Sequence, residues 1–266
     1  MDNNNNVTLR ELLEAGCHFG HHVTKLYPRA RDFIFAERDG ISIIDLAKTR
    51  EGLVKAMDYV NELGKNNGKI IFVGTKRQAK EIVKEAAIKC GAYYITERWP
   101  AGLLTNWEVI KKNLQEIKNL QEAVSDPEKQ KGYTKREIGL WKRRLDKMMI
   151  EYEGIKNMEA MPDAVFIVDM KAEEGVVREA SRSHKTVVAM VDTNSNPDNA
   201  DYAIPTNDDA VGAISFIVNK IAEAYAEGLK TQEKVVEKPE EKIEKPVEKK
   251  VKTKKVNSKS KITNSK

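Results

Sequence analysis

Short, nearly continuous apolar runs alternate along this chain with longer amphipathic segments. The apolar runs lie at 69–73, 93–95, 164–168 and 186–191. The amphipathic segments between and around them lie at 48–63, 76–90, 172–183 and 208–227. A run that is apolar at every position suits a parallel strand covered on both faces. Such strands separated by helices predict an α/β fold with a doubly wound, flavodoxin-like parallel sheet.

Two further features modify this alternation. Apolar residues at 33–35 and 41–44 flank Asp39-Gly40, a pattern that predicts a β-hairpin attached to one edge of the sheet. From residue 107 to 153, apolar positions recur every three or four residues on both sides of a Ser-Asp-Pro break at 125–127. This pattern predicts an inserted antiparallel coiled-coil hairpin that buries its apolar stripe mainly within itself and stands off the sheet.

The formal net charge of +5 is unevenly distributed. Residues 1–158 carry 28 Lys and Arg against 22 Asp and Glu, whereas residues 159–227 carry 5 against 13. The first part could face phosphates, and the second suits a cation or a basic protein partner. Bulk charge alone therefore gives little support for nucleic-acid binding.

The carboxy-terminal segment differs from the rest in composition. After Gly228 the chain consists largely of Lys, Glu, Val and Pro, and it becomes purely basic from Lys249 onward. We expect residues 229–266 to form a disordered, Lys-rich tail, with residues 1–228 forming the α/β domain that the hairpin at 107–153 interrupts. The tail could serve solubility or make weak electrostatic contact with RNA.

Cysteine content and apolar run lengths bear on location. The chain has two cysteines, Cys17 and Cys90, too few for a disulfide framework, which favours a reducing cytosol. The amino terminus lacks the pattern of a signal peptide, and no apolar run approaches membrane-spanning length. We therefore expect a cytoplasmic protein without a membrane partner.

Residues 98–106 form the run that is richest in binding chemistry: Arg-Trp-Pro-Ala-Gly-Leu-Leu-Thr-Asn. Arg98 offers a bidentate fork for a phosphate or a base, and Trp99 offers a stacking face. A proline and a glycine fix the backbone, and Thr105 is placed to cap a helix that starts near Trp107. The alternative is a strand-to-helix turn whose tryptophan is simply buried.

This run is one of five segments that together resemble, in order, the bacterial small-subunit ribosomal protein two family. The segments are 16–21, 72–76, 98–106, 154–163 and, as a split motif, 191–194 with 204–209. The likeness spans about residues 7–228. Pro100-Ala101 is the main departure, because the family usually has Leu-Gly there.

The resemblance implies a structural constituent of the small ribosomal subunit, located in cytoplasmic ribosomes and without enzymatic activity. It implies binding to small-subunit rRNA where head and body meet. It also implies contacts with other small-subunit proteins, including the large multi-domain mRNA-binding protein, for which the chain would provide the docking platform. No small-molecule substrate is expected.

The predicted RNA-binding residues are drawn from the loop after the first parallel strand, the 98–106 run and the hairpin. They are Lys76, Arg77, Arg98, Trp99, Thr105, Asn106, Lys111, Lys112, Arg143 and Arg144. The charged residues of the hairpin could equally form a merely solvated helix face. A protein-binding adaptor would explain the hairpin but not the 98–106 run.

An enzyme is the rival hypothesis from another class. Gly74-Thr75-Lys76 lies at a strand-to-helix turn, where a flavodoxin-like sheet could bind a nucleotide. Neither a G-x-G-x-x-G fingerprint nor a G-x-x-x-x-G-K-[ST] loop is present, and no catalytic triad can be assembled. We therefore name no catalytic residues, although a cytosolic nucleotide- or metal-dependent enzyme stays open as the alternative.

One group of residues could hold a metal. It comprises His18, His21, Asp192, Asp208 and Asp209. The aspartates lie where loops converge at the carboxyl edge of the predicted sheet, and mixed nitrogen and oxygen ligands favour zinc. Alternatively, residues 207–209 cap the last helix and the histidines serve packing. A structural zinc is thus the one cofactor that the sequence suggests.

Overall fold

The computed structural model describes residues 7–236. The helices are α1 (Leu9–Glu14), α2 (Leu46–Lys65), α3 (Lys80–Cys90), α4 (Trp107–Ser125), α5 (Lys135–Tyr152), α6 (Glu174–Arg182) and α7 (Val211–Val236). The strands are β1 (Phe19–His22), β2 (Ile34–Arg38), β3 (Ile41–Ile44), β4 (Ile70–Val73), β5 (Tyr93–Ile95), β6 (Ala164–Ile167), β7 (Thr186–Val191) and β8 (Tyr202–Pro205). None of the helices in the described part of the chain is both long enough and apolar enough to span a membrane.

The central sheet has five parallel strands in the order β5-β4-β6-β7-β8. Numbered along the chain within this sheet, the order is 2-1-3-4-5, the arrangement of flavodoxin-like doubly wound folds. The four predicted strands are confirmed. The fifth strand, β8, was missed because its sequence, Tyr-Ala-Ile-Pro, is short and ends in proline.

Side chains of the central strands point alternately into two apolar clusters. Ile70 and Phe72 belong to the cluster that contains buried residues of α2, α3 and α7. Ile71 and Val73 belong to the second cluster, with buried residues of α4 and α6. Because helices cover both faces, every position of β4 is buried, and this explains the continuous apolar runs in the sequence.

The predicted amino-terminal hairpin exists as β2 and β3, and it forms part of a separate antiparallel sheet with the order β1-β3-β2. Strand β1 was not predicted, because Phe-Gly-His-His has no alternation of apolar and polar residues. The small sheet is tied to the loop after β7 by the His21 amide of β1, which donates to the Thr193 hydroxyl, and by the Tyr27 amide, in the connection between β1 and β2, which donates to the Thr193 carbonyl at 2.8 Å. The small sheet therefore lies near the carboxyl edge of the large one.

Helices α4 and α5 form the predicted helical insertion. They contact each other through the Asn113 amide, which donates to the Tyr152 hydroxyl at 3.0 Å, and through an Arg144–Glu116 ion pair of 2.5 Å. The expectation that the hairpin stands off the sheet is wrong for its near half, because Ile110, Leu114 and Ile117 of α4 are at most 4% exposed and belong to the second apolar cluster. Supercoiling of the two helices stays a prediction.

The last helix is longer than expected. The sequence suggested a boundary after Gly228, but α7 continues to Val236. Residues 229–236 contain Leu, Lys, Gln and Glu, which are good helix formers, so their tail-like composition does not prevent helix formation. The rest of the predicted disordered tail, residues 237–266, lies outside the described residues.

Candidate nucleic-acid interface and the carboxylate cluster

Four loops converge at the carboxyl edge of the parallel sheet. The loop after β4 provides Lys76, the loop after β6 provides Asp169, the loop after β7 begins with Asp192, and the loop after β8 provides Asp208 and Asp209. The chain leaves β4 and β6 toward opposite sides of the sheet, so this edge contains the topological switch point where doubly wound folds usually bind ligands.

The ammonium group of Lys76 lies among three carboxylates. Its Nζ is 2.8 Å from Asp169 and 2.7 Å from both Asp208 and Asp209, and the side chain is only 20% exposed. Burial opposes the charged form, but the hydrogen bonds to the three carboxylates outweigh this effect and raise the pKa of Lys76. The positive charge of Lys76 is therefore neutralised inside the protein, an arrangement that does not favour the predicted phosphate contact.

Asp208 is the most enclosed member of the cluster. Its side chain is fully buried, and its Oδ2 has no hydrogen-bond partner among the described groups. Burial, together with repulsion from Asp169 and Asp192, raises the pKa of Asp208. This carboxylate therefore has one oxygen committed to Lys76 and one that could still accept a proton, a water or a cation.

His21 connects the small sheet to the same cluster. Its Nδ1 is 3.2 Å from Asp192 Oδ2, and its Nε2 is 3.4 Å from Asp209 Oδ2. The Asp192 hydrogen bond raises the pKa of His21 against the opposing effect of burial. The backbone amide of His21 also donates to the Thr193 hydroxyl at 2.9 Å.

The structure brings together four of the five predicted metal ligands. Ligand atoms of His21, Asp208 and Asp209 lie within 4.8 Å of one another, and Asp192 adjoins His21. His18 is not part of this group: its ring contacts Phe19, with 4.0 Å between ring centroids. The alternative capping role is also present, since Asn207 Oδ1 accepts hydrogen bonds from the amides of residues 209 and 210, just before α7.

The 98–106 run is organised by a residue that sequence reasoning missed. Glu179 of α6 accepts hydrogen bonds from the Trp99 indole at 2.6 Å, from the amides of Leu104 and Thr105 at 3.1 Å each, and from the Thr105 hydroxyl at 2.9 Å. The sequence contained a signal for this role. Glu179 follows Val176 by three residues, so this charged residue lies on the apolar face of α6.

These contacts give Trp99 and Thr105 structural roles. Trp99 is half-buried against the second apolar cluster, which matches the simpler interpretation of a buried tryptophan. The prediction that Thr105 caps α4 is wrong, since Asn106 is the N-cap residue and Thr105 binds Glu179 instead. Arg98 and Asn106 remain exposed on this fixed turn.

The other predicted RNA-binding residues lie on the surface. Arg77 is exposed in the loop before α3, and Lys111 and Lys112 are exposed on α4. Arg143 and Arg144 are exposed on α5, although Arg144 is paired with Glu116. The predicted set therefore divides into residues whose side chains bind other parts of the protein, namely Lys76, Trp99 and Thr105, and residues that face solvent on the loop before α3, the 98–106 turn and the hairpin.

Comparison with known protein sequences identifies the family of this chain. A family model described as ribosomal protein S2 matches residues 12–228. The chain belongs to the ribosomal protein S2 family. It is similar to the small ribosomal subunit protein uS2 of Chloroflexus aggregans, at 44% identity over 87% of this chain and 97% of that protein. The uS2 of Rickettsia bellii is 41% identical over 86% of this chain and 78% of that protein.

The uS2 of Fusobacterium nucleatum gives a similar result, at 41% identity over 86% of this chain and 93% of that protein. Membership confirms the resemblance drawn from the five sequence motifs. It places the chain among ribosomal proteins, the components of the ribonucleoprotein that carries out translation, a structural rather than an enzymatic class.

Proposed function

We propose that this chain is a structural constituent of the small ribosomal subunit that binds rRNA where the head and body of the subunit meet. The observation that carries the proposal is the fixed turn at 98–106, which presents Arg98 to solvent while Glu179 holds the backbone behind it. A preformed turn binds RNA without the entropic cost of ordering a loop.

The other proposed RNA contacts are exposed residues of the loop before α3, of this turn and of the hairpin. They are Arg77, Asn106, Lys111, Lys112, Arg143 and Arg144. Lys76, Trp99 and Thr105 act indirectly in this proposal, by holding the loops that present the exposed residues. Recognition is by phosphate and sugar contacts and by shape, because A-form helices offer side chains little sequence readout.

Protein contacts are the second part of the proposal. Residues 159–227 carry 5 Lys and Arg against 13 Asp and Glu, which suits basic protein neighbours better than RNA over most of this surface. We assign to this part of the chain the contacts with other small-subunit proteins, including the docking of the large mRNA-binding protein. We expect the protein in cytoplasmic ribosomes, with native protein co-sedimenting with small subunits at low salt.

The RNA proposal is tested by replacing Arg98 with alanine. Loss of one phosphate contact should lower the slope of log affinity for small-subunit rRNA against log salt by roughly 0.7–0.9. Lys55→Ala is the matched control, because Lys55 is exposed and paired with Glu51 on α2, away from the 98–106 turn. An Arg98→Ala protein that binds rRNA normally but melts early would mean that Arg98 is structural.

The enzyme alternative loses its main support at the switch point. Lys76 is the residue that would meet a phosphate at this strand-to-helix turn, and its ammonium is bound by three carboxylates instead. A nucleotide phosphate would face these negative charges at the same edge of the sheet.

Binding of a structural zinc ion is a second candidate function of the carboxylate cluster. It is favoured by the unpartnered Oδ2 of Asp208, which lies beside His21 and Asp209. Elemental analysis of the purified full chain tests it directly. Stoichiometric zinc that is lost in the Asp208→Ala, Asp209→Ala double variant would support the site, with affinity falling at lower pH as His21 is protonated. Absence of zinc from the wild-type protein would leave Lys76 as the cation of this cluster.

A further inference from the structure

The acidic part of the chain concentrates its positive charges in one place. Among the five Lys and Arg of residues 159–227, three line a single concave surface. They are Arg178 and Arg182 of α6 and Lys185, which precedes β7. The concavity has a volume of about 630 Å³ and lies between α6 and residues 198–201.

The carboxylates on the wall of this groove already have partners. Asp201 accepts a hydrogen bond from the Val187 amide at 2.8 Å, and Asp198 lies 3.5 Å from Arg29. Arg182, in contrast, makes no ion pair or side-chain hydrogen bond with any described residue. Its positive charge is therefore available to a ligand.

The two remaining cations are only weakly neutralised. Arg178 pairs with Glu174 one turn earlier on the exposed face of α6, a type of ion pair that contributes little to stability. Lys185 is 3.9 Å from Asp163, at the outer limit of an ion pair. The mostly exposed Arg178 side chain could turn toward an incoming anion at little cost, whereas Lys185, 20% exposed, contributes its charge from the wall of the groove.

The groove continues past α6 into a second concavity of about 460 Å³, and the two share Val177 and Asn199 as lining residues. The second concavity adds Lys25 and Lys171, together with the side-chain amides of Asn194 and Asn196. Ammonium, guanidinium and amide groups along the channel that these two adjoining concavities form match the phosphates and 2′-hydroxyls of an RNA strand. The carboxylate that lines the second concavity, Glu174, is paired with Arg178.

Interaction with the helix dipole does not explain this arrangement. Cations near a helix C-terminus are favourable on their own, which could account for Arg182 and Lys185 at the end of α6. It does not account for Arg178 in the middle of that helix, or for Lys25 and Lys171 at the far end of the channel.

We propose that this groove, between α6 and the loop that follows β7, binds the sugar-phosphate backbone of RNA. The inference rests on the proposed rRNA-binding function and adds a second contact surface, formed by different residues from the hairpin and the Arg98 turn. It places an RNA contact within residues 159–227, whose overall charge favours protein partners.

The test uses the full chain and a transcript of small-subunit rRNA. The Arg178→Ala, Arg182→Ala double variant should lower the slope of log affinity against log salt by roughly 1.4–1.8, the sum of two phosphate contacts. The Arg178→Lys, Arg182→Lys variant keeps both charges and should retain most of the slope. Lys220→Ala, on α7 and paired with Glu223, is the control outside the groove.

The outcomes separate this inference from the proposed function. If the wild-type protein does not bind rRNA, the proposed function and the groove fail together. If Arg98→Ala weakens binding and the double alanine variant does not, only the groove assignment is overturned. Normal rRNA binding by the double variant with poor incorporation into subunits would also overturn it, by indicating a protein partner in the groove.

Discussion

The carboxyl edge of the sheet and the helical hairpin both contain basic residues that were predicted from the sequence to bind RNA. The environments of these residues differ. At the sheet edge, Lys76 is enclosed by Asp169, Asp208 and Asp209. On the hairpin, Lys111 and Arg143 are exposed to solvent. A basic residue is available to RNA where its charge is exposed to solvent, whereas the enclosed charge of Lys76 is already bound by internal carboxylates.

The difference has an electrostatic origin. Charges that are shielded from water interact strongly, so a buried ammonium needs carboxylate partners and becomes part of the core structure. Charges on a solvated helix are screened by water and salt, so they cost little to keep unpaired. The two regions should therefore respond in opposite ways to mutation, with stability affected at the sheet edge and RNA binding affected on the hairpin.

The largest effect is expected at Lys76. Lys76→Met removes the ammonium but keeps much of the side-chain volume, which leaves three carboxylates facing one another without a cation. We expect a loss of about 3–5 kcal/mol in the free energy of unfolding, measured by urea denaturation. Arg143→Ala should change stability little. A stable Lys76→Met protein with weakened rRNA binding would contradict the contrast between the two regions.

The next largest effect on stability is expected within the hairpin, where a buried and an exposed leucine can be compared. Leu114 of α4 is 4% exposed against the second apolar cluster, whereas Leu140 of α5 is 53% exposed. We expect Leu114→Ala to lower the free energy of unfolding, measured by urea denaturation, by about 2–5 kcal/mol. Leu140→Ala is the matched control and should cost much less. Equal, small effects at both positions would restore the original expectation of a hairpin that stands off the core.

A smaller effect is expected at Glu179. Glu179→Ala leaves the Trp99 indole and the amides of Leu104 and Thr105 without their acceptor, at a cost of about 1–3 kcal/mol. Glu174→Ala, an exposed position on the same helix, is the control. Unfolding curves measure the loss, and Trp fluorescence of a Trp107→Phe, Trp141→Phe background reports the environment of Trp99. Unchanged stability would mean that the turn is held by its own sequence.

The smallest expected effect is on the pH dependence of the free energy of unfolding. The Asp192 hydrogen bond raises the folded-state pKa of His21, so its contribution to stability is present below the unfolded value near ~6.5 and is lost as pH rises through the folded pKa. The raised pKa of Asp208 acts in the same direction. Together these two groups should lower the free energy of unfolding as pH rises from about 4 to about 8, with a smaller fall above about pH 6 in His21→Gln.

His22→Gln provides the control for this experiment, because His22 is an exposed neighbour whose ring contacts Thr24. If His21→Gln and wild type show the same pH dependence, the link between the small sheet and the carboxylate cluster does not depend on the charge of His21.

The layered fold and the order of most of its elements could be predicted from the pattern of apolar residues. Continuous apolar runs predicted β4, β5, β6 and β7, because strands covered on both faces cannot carry polar residues. The spacing of apolar residues likewise predicted α4 and α5. The strands that were missed, β1 and β8, are short and lack this pattern, since backbone pairing with neighbours rather than side-chain burial defines them.

Which polar residues are available to a ligand depends on contacts between distant parts of the chain. Lys76 meets its three aspartates from loops more than 90 residues away in sequence, and Glu179 meets Trp99 from 80 residues away. No local pattern encodes such pairs, because parallel strands bring distant loops to one edge of the sheet. Burial then makes each pairing strong enough to turn a predicted ligand into a structural residue.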